Sequence, residues 1–264
     1  MTDAIEETHQ NTHPAENGHW AWLYRLFIQP RRIFKNLAEL ETRAYFKPLL
    51  ILSVLVILLS LMGGQARLRD SQMNMGQPPE DFQYWSEKQQ NQFFEGQAAM
   101  QGPLFIYVFP LLGSLAGLWA GWFLLSSILY LLMTFQGSRK AQVAYFNLVA
   151  WAALPFALRS LVQLIAVLTT QQVISDPGLS GFVNPGESSG LAYLHILLSF
   201  IDLYTLWFIA LLIIGTPLVS ELKSGKSLAM VTLAGLIFIL LASLPEFIAN
   251  KLGGLGNIRP FLFF

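Results

Sequence analysis

The chain has 264 residues, no cysteine and a formal net charge of zero at neutral pH. It is 54% hydrophobic and 12% charged, against the roughly 25% charge usual for a soluble domain. These values exclude disulfides and thiolate metal sites, give no basis for a nucleic-acid partner, and suit one membrane domain.

Residues 1–19, MTDAIEETHQNTHPAENGH, are polar and acidic with no apolar core. They read as a disordered cytoplasmic tail rather than a cleavable signal peptide. Residues 20–45 read as an interfacial amphipathic segment. Pro30 fits a first helical position, and Ile33, Phe34, Leu37, Leu40 and Ala44 recur at helical spacing on one side. Arg31, Arg32, Lys35, Arg43 and Lys47 flank that side. The expected membrane-surface residues are therefore Arg31, Arg32, Ile33, Phe34, Lys35 and Leu37, with aliphatics toward acyl chains and cations toward anionic headgroups. Trp20, Trp22 and Tyr24 suit the same interface. The competing reading is a solvated amphipathic segment packed on the protein's own loops.

Residues 46–249 hold five apolar runs, at about 46–64, 107–133, 142–168, 191–218 and 228–249. A hydrocarbon core of ~30 Å needs about 20 helical residues, so each run qualifies as a span. Unbroken runs also argue against a β-barrel. The predicted fold is all-α, a polytopic five-helix membrane bundle with an N-terminal interfacial helix. A tail at 250–264 follows. The loop at 65–102 is the one long connection; its PPEDFQYWSEKQQNQFFEGQ is expected to start a lid helix near Glu80 and Asp81. Phe82, Trp85, Phe93 and Phe94 in it are candidates to rest on the membrane surface. SDPGLSGFVNPGESSG is a turn-rich connector.

Cations set the expected orientation. Ten Lys or Arg residues lie within residues 1–47 or in the loops after the second and fourth spans, against five on the other side. The positive-inside rule places the N-terminus in the cytoplasm and the C-terminus outside.

Polar residues inside the spans are the candidates for function. Gly113, Gly117 and Gly121 form a small-xxx-small ridge for close helix packing, with the partner helix either internal or on another protomer. Arg159 is the costly residue, since a lone Arg at mid-span costs about 2.5–3.5 kcal/mol. Counted from the outer ends of their spans, Arg159 and Asp202 lie at depths of about 14 and 16 Å. An Arg159–Asp202 ion pair is expected, either as a clasp fixing helix register or as part of a transport or proton path. His195, Ser199, Asp202 and Thr205 share one face of a continuous fourth span, Gln163 shares a face with Arg159, and Glu246 sits near the outer end of span five. Gln163, His195, Ser199 and Glu246 form the expected polar layer. One His with two separated carboxylates is a weak metal signal, so no metal and no cofactor are expected. No nucleophile–base–oxyanion set is visible, and no catalytic residue is assigned. Ser224-Gly225-Lys226-Ser227 imitates a phosphate loop, but Ser220 stands where that motif needs Gly, so it reads as a cytoplasmic turn.

Three stretches carry a family likeness: IQPRRIFKNLAELETRAYFKPLLIL, GSRKAQVAYFNLVAWAALPFALRSLV and FIDLYTLWFIALLIIGTPLVSELKSGKSLAMVTL. With these, the chain resembles the Yip-domain family of five-span membrane proteins, particularly its bacterial branch. The resemblance implies a multi-pass bacterial inner-membrane protein. Eukaryotic members associate with small GTPases of the Rab class in vesicle traffic, a partner implied here by analogy alone. The short N-terminal tail argues against it. The expected function is a non-enzymatic scaffold or membrane-organising factor that works with the lipid bilayer and with protein partners or further copies of itself. The alternative is a small transporter or proton conductor using Arg159, Asp202, His195 and Glu246.

Overall fold

Apolar runs separated by short polar turns leave the backbone one economical solution in lipid, the closed helix. The computed structural model describes residues 18–40, 42–73, 81–172, 177–184 and 188–251, and no strand occurs among them. The two expected tails fall almost wholly outside the described residues. Eleven α-helices follow in order: α1 (Gly18–Ile28), α2 (Pro30–Ala38), α3 (Phe46–Met62), α4 (Gly64–Met73), α5 (Glu87–Met100), α6 (Phe109–Phe135), α7 (Gln142–Ala152), α8 (Pro155–Thr170), α9 (Ser189–Ser199), α10 (Leu203–Ser220) and α11 (Ser224–Lys251). A π-helical turn, Leu104–Val108, leads into α6.

Among the described residues, four stretches are long and apolar enough to cross a membrane: Leu104–Phe135, Gln142–Thr170, Leu203–Ser220 and Ser224–Ile248. The pair α3 and α4, bent by 41°, makes a fifth if counted as one span. Exposed apolar side chains run along these helices, among them Leu50, Val54, Leu58, Ile165, Leu236 and Leu240. In water such stripes would drive aggregation; against acyl chains they are the expected surface.

The bend after α3 has a local cause. Arg67 donates from Nε to the Ile106 carbonyl at 3.0 Å, and its guanidinium also reaches the Ser60 carbonyl. Sequence reading leaves Arg67 as a loop cation; it instead ties α3 to the turn before α6. Gly64 lies so close to the Tyr107 ring that a Cβ there would overlap it. Gly64→Ala is expected to destabilise by about 1–3 kcal/mol through overpacking, checked by thermal unfolding in detergent.

At the opposite end, α2 meets α10 and α7. Pro30 occupies its first turn, as expected, but the helix stops at Ala38, so Leu40 and Ala44 lie beyond it. Ile33, Phe34 and Leu37 are buried within the protein, while Arg31, Arg32 and Lys35 are exposed. This corrects the expectation that the three apolar residues enter lipid: α10 and α7 already cover them. A glycine makes the close approach possible, since a Cβ on Gly215 would stand 2.9 Å from the Phe34 ring and against Leu148. The turn after α2 is held by α7, through Asn147 Nδ2 to the Thr42 carbonyl at 2.9 Å and Trp151 Nε1 to the Ala44 carbonyl at 3.1 Å. Ser138 bridges the Tyr145 hydroxyl at 2.7 Å and the Ser220 carbonyl at 3.0 Å, closing the turns at this end.

Two start sites differ from expectation. The lid helix begins at Glu87, because Ser86 and Gln89 form a reciprocal capping box; Glu80 lies outside the described residues. Phe82, Trp85, Phe93 and Phe94 stack on one another there, with centroids 5.3 to 5.9 Å apart. Ser224-Gly225-Lys226-Ser227 is the first turn of α11 rather than a loop.

Candidate functional site in the bundle interior

Asp202 interrupts the fourth apolar run. The chain leaves helical form at Phe200–Asp202, so α9 and α10 are two helices rather than one span. A carboxylate bonds a nearby backbone amide more readily at a helix start than in an interior. Asp202 does so as the N-cap of α10, accepting from the Thr205 amide at 2.7 Å. The expected continuous face from His195 through Thr205 is therefore broken between Ser199 and Asp202.

The break exposes backbone carbonyls, and the preceding loop covers them. The Leu179 amide donates to Leu198 and Ile201 carbonyls at 3.1 and 3.0 Å. Gly178, at φ +64°, permits the approach; a Cβ there would meet the Ile201 carbonyl at 2.7 Å. Irregular backbone in a membrane protein persists only where protein or a cavity surrounds it. Both apply here.

Arg159 projects from α8 toward the break. Its Nε stands 3.0 Å from Asp202 Oδ2, with side-chain exposures of 12% and 15%. Measured instead from Gln142, where the α7–α8 stretch begins, and from Ser220, where α10 ends, the two residues lie about 26–27 Å along. That matched height lets neighbouring helices present one charge to the other. Asp202 thus caps one helix and neutralises a cation on another.

Beside the pair lies a cavity of about 280 Å³. Arg159, His195, Ser199, Thr205 and Glu246 line its polar part. Of the expected polar residues, Arg159, His195, Ser199 and Glu246 come together here; Gln163, half-buried one turn beyond Arg159, and Asp202 do not line the cavity. α9 is fixed against α11 by Tyr193 Oη to Ser243 Oγ at 3.0 Å and by Tyr193–Phe247 stacking at 5.0 Å. The apolar part of the wall includes Trp122, Leu125, Val149, Leu212 and Val231. Sequence reasoning missed this wall, since each residue is an ordinary core position on its own helix. Gly235 was equally silent.

Of the glycine ridge, Gly117 and Gly121 are buried and Gly113 is half-buried. α6 packs on α3, α7 and α11 of the same chain, so the ridge stands among internal partners. Gly121 also lines the cavity. Among the described residues no group of three His, Asp or Glu side chains is placed to hold a metal ion.

Comparison with curated proteins and with solved structures gave no match. The family model described as Yip1 domain matches residues 24–244. That range runs from α1 through most of α11 and takes in both members of the ion pair, so this integral membrane protein belongs to the Yip1 domain family.

Proposed function

We propose that the protein is a non-enzymatic membrane-organising factor of the bacterial inner membrane, with its N-terminus cytoplasmic. The observation that carries this reading is α2: its apolar face is fastened into the bundle, and its cations, Arg31, Arg32 and Lys35, point away from it. A basic platform at the mouth of a membrane domain attracts anionic headgroups, or an acidic partner, at about 1 kcal/mol per cation near the surface. The cation count on the α2 side supports the orientation. Protein partners, homo-oligomers and, by family analogy alone, a small GTPase remain candidates for what the platform gathers.

Charge reversal of Arg31, Arg32 and Lys35 to Glu is expected to weaken association with anionic partners or anionic-lipid vesicles by about tenfold or more while leaving the fold intact. Unchanged association of the triple variant in co-purification and vesicle flotation would remove this reading.

A second reading, transport, is favoured by the broken fourth span beside a partly polar cavity, the arrangement expected where a membrane protein binds a solute. Asp202→Asn retains an N-cap residue but removes the charge. Flux in proteoliposomes that is lost in this variant, with folding preserved, supports transport; absence of flux from the unaltered protein across ions and protons counts against it.

A further inference from the structure

Arg159 and Arg67 are both drawn out of water, but only one of them meets an acid. Arg159 has Asp202 at 3.0 Å. Arg67 is half-buried at the bend after α3, and among the described residues no carboxylate stands within ion-pair distance of it. Asp70, the next acid along α4, is exposed and has a contact of its own. Arg67 is held instead by the carbonyls of Ile106 and Ser60. The first of these is available for a local reason. In an α-helix the Ile106 carbonyl would pair with the amide of residue 110, and that residue is Pro110, which has no N–H. The two carbonyls occupy two of the five guanidinium donors but bring no negative charge. A cation at the edge of the hydrocarbon held by dipoles alone stays costly.

The surroundings of Arg67 add further donors. A Cβ on Gly63 would stand 3.0 Å from Arg67 Nη1, and one on Gly64 would overlap the Tyr107 ring, so both side chains crowd onto one bend. The Tyr107 hydroxyl accepts from Gln65 Nε2 at 3.3 Å, and its own proton has no acceptor among the described residues. Gln65 is exposed, and Arg69 adds a second exposed cation on α4. A planar guanidinium beside a hydroxyl donor suits the oxygens of a phosphate.

Position points to the source of that phosphate. From Phe135, at the other end of the span, to Ile106 is about 44 Å of helix, against ~40–45 Å for a bilayer with its headgroups. Arg67, bonded to Ile106, therefore sits at headgroup height. Apolar side chains open to lipid flank it on both elements, Leu61 and Met62 at the end of α3 and Leu104 and Phe105 in the π-helical turn. We propose that Arg67 and Tyr107 bind the phosphodiester of a membrane phospholipid in the leaflet on the α5 side, with its acyl chains along those four residues. The phosphate supplies the negative charge that the chain itself does not. This site goes beyond either functional reading, since it requires neither a protein partner nor flux.

The test is thermal unfolding of the full-length protein in detergent micelles with dioleoylphosphatidylcholine, dioleoylglycerol or inorganic phosphate added. Phosphatidylcholine has no net charge, so the α2 cations gain little from it. It is expected to raise the unfolding midpoint by about 5 °C or more. Dioleoylglycerol has the same chains without phosphate, and inorganic phosphate has no chains; each is expected to shift the midpoint by less than about 1 °C at equal concentration. An equal shift from dioleoylglycerol overturns the proposal, because no phosphate is then recognised. A full shift from inorganic phosphate also overturns it, because the lipid is then not the source, and so does no shift from any of the three. Arg67→Gln is expected to abolish the response, and a folded variant that keeps it counts against the site. Arg67 also ties the bend, so Gln65→Glu supplies a second measure. It places a carboxylate beside the guanidinium in the role given to the phosphate. The lipid-free variant is expected to unfold at a higher temperature than the unaltered protein and to lose its response to phosphatidylcholine. An undiminished response in Gln65→Glu overturns the proposal whether or not Arg67→Gln folds.

Discussion

Asp202→Ala is expected to destabilise the protein by about 3–5 kcal/mol, because removing one partner of a buried pair strands the other charge. Its partner Arg159 is 12% exposed and has Nε committed to this carboxylate. The same substitution removes the cap of α10, where Asp202 accepts from the Thr205 amide, for about a further 1 kcal/mol. Asp202→Asn separates the two losses: it can still cap but carries no charge. The Asn variant is therefore expected to recover about 1 kcal/mol and no more. Equilibrium unfolding in mixed micelles reads both. If either variant unfolds within about 0.5 kcal/mol of the unaltered protein, the pair does not hold α8 to the break between α9 and α10.

Phe34→Ala should be nearly as costly, at about 3–5 kcal/mol for a fully buried Phe. Phe34 is 0% exposed and faces Gly215 across the α2–α10 contact. Neighbouring α1 is anchored by Phe27 on Trp207 at 5.2 Å and Trp22 on Trp151 at 5.8 Å. Losing Phe34 is therefore expected to loosen both N-terminal helices, read as faster amide hydrogen exchange in residues 22–38. The competing account, in which α2 wedges into the leaflet, makes a different prediction. There, Phe34→Ala would lower vesicle binding and leave the unfolding free energy unchanged. Only the packed arrangement makes Phe34 and the exposed Arg31 differ, one governing stability and the other charge-dependent association.

How much of this was readable in the chain depends on the range of the interaction. The apolar runs announced a membrane bundle because hydrophobicity over about 20 residues is a local property. The cost of Arg159 in lipid demanded an acid, and matched helix positions indicated Asp202. The break at Phe200–Asp202 was not visible in hydropathy, since the flanking residues are apolar on both sides. What stabilises it is a loop amide, Leu179, some twenty residues upstream. The amphipathic pattern of α2 correctly marked Ile33, Phe34 and Leu37 as one apolar face. Such a pattern states that a face must be covered, but not whether lipid or protein covers it. The glycine at position 215, far along the chain, settles that. Arg67 follows the same logic: its partners are carbonyls, which no side-chain motif records.

The central claim is that the guanidinium on α8 and the carboxylate at the α10 cap satisfy each other within the bundle. A double-mutant cycle with Arg159→Met, Asp202→Asn and the combined variant, followed by equilibrium unfolding, measures that directly. The predicted result is a coupling of about 2 kcal/mol or more, with the double variant less destabilised than the two single losses summed. Additive losses, within about 0.5 kcal/mol, would contradict it.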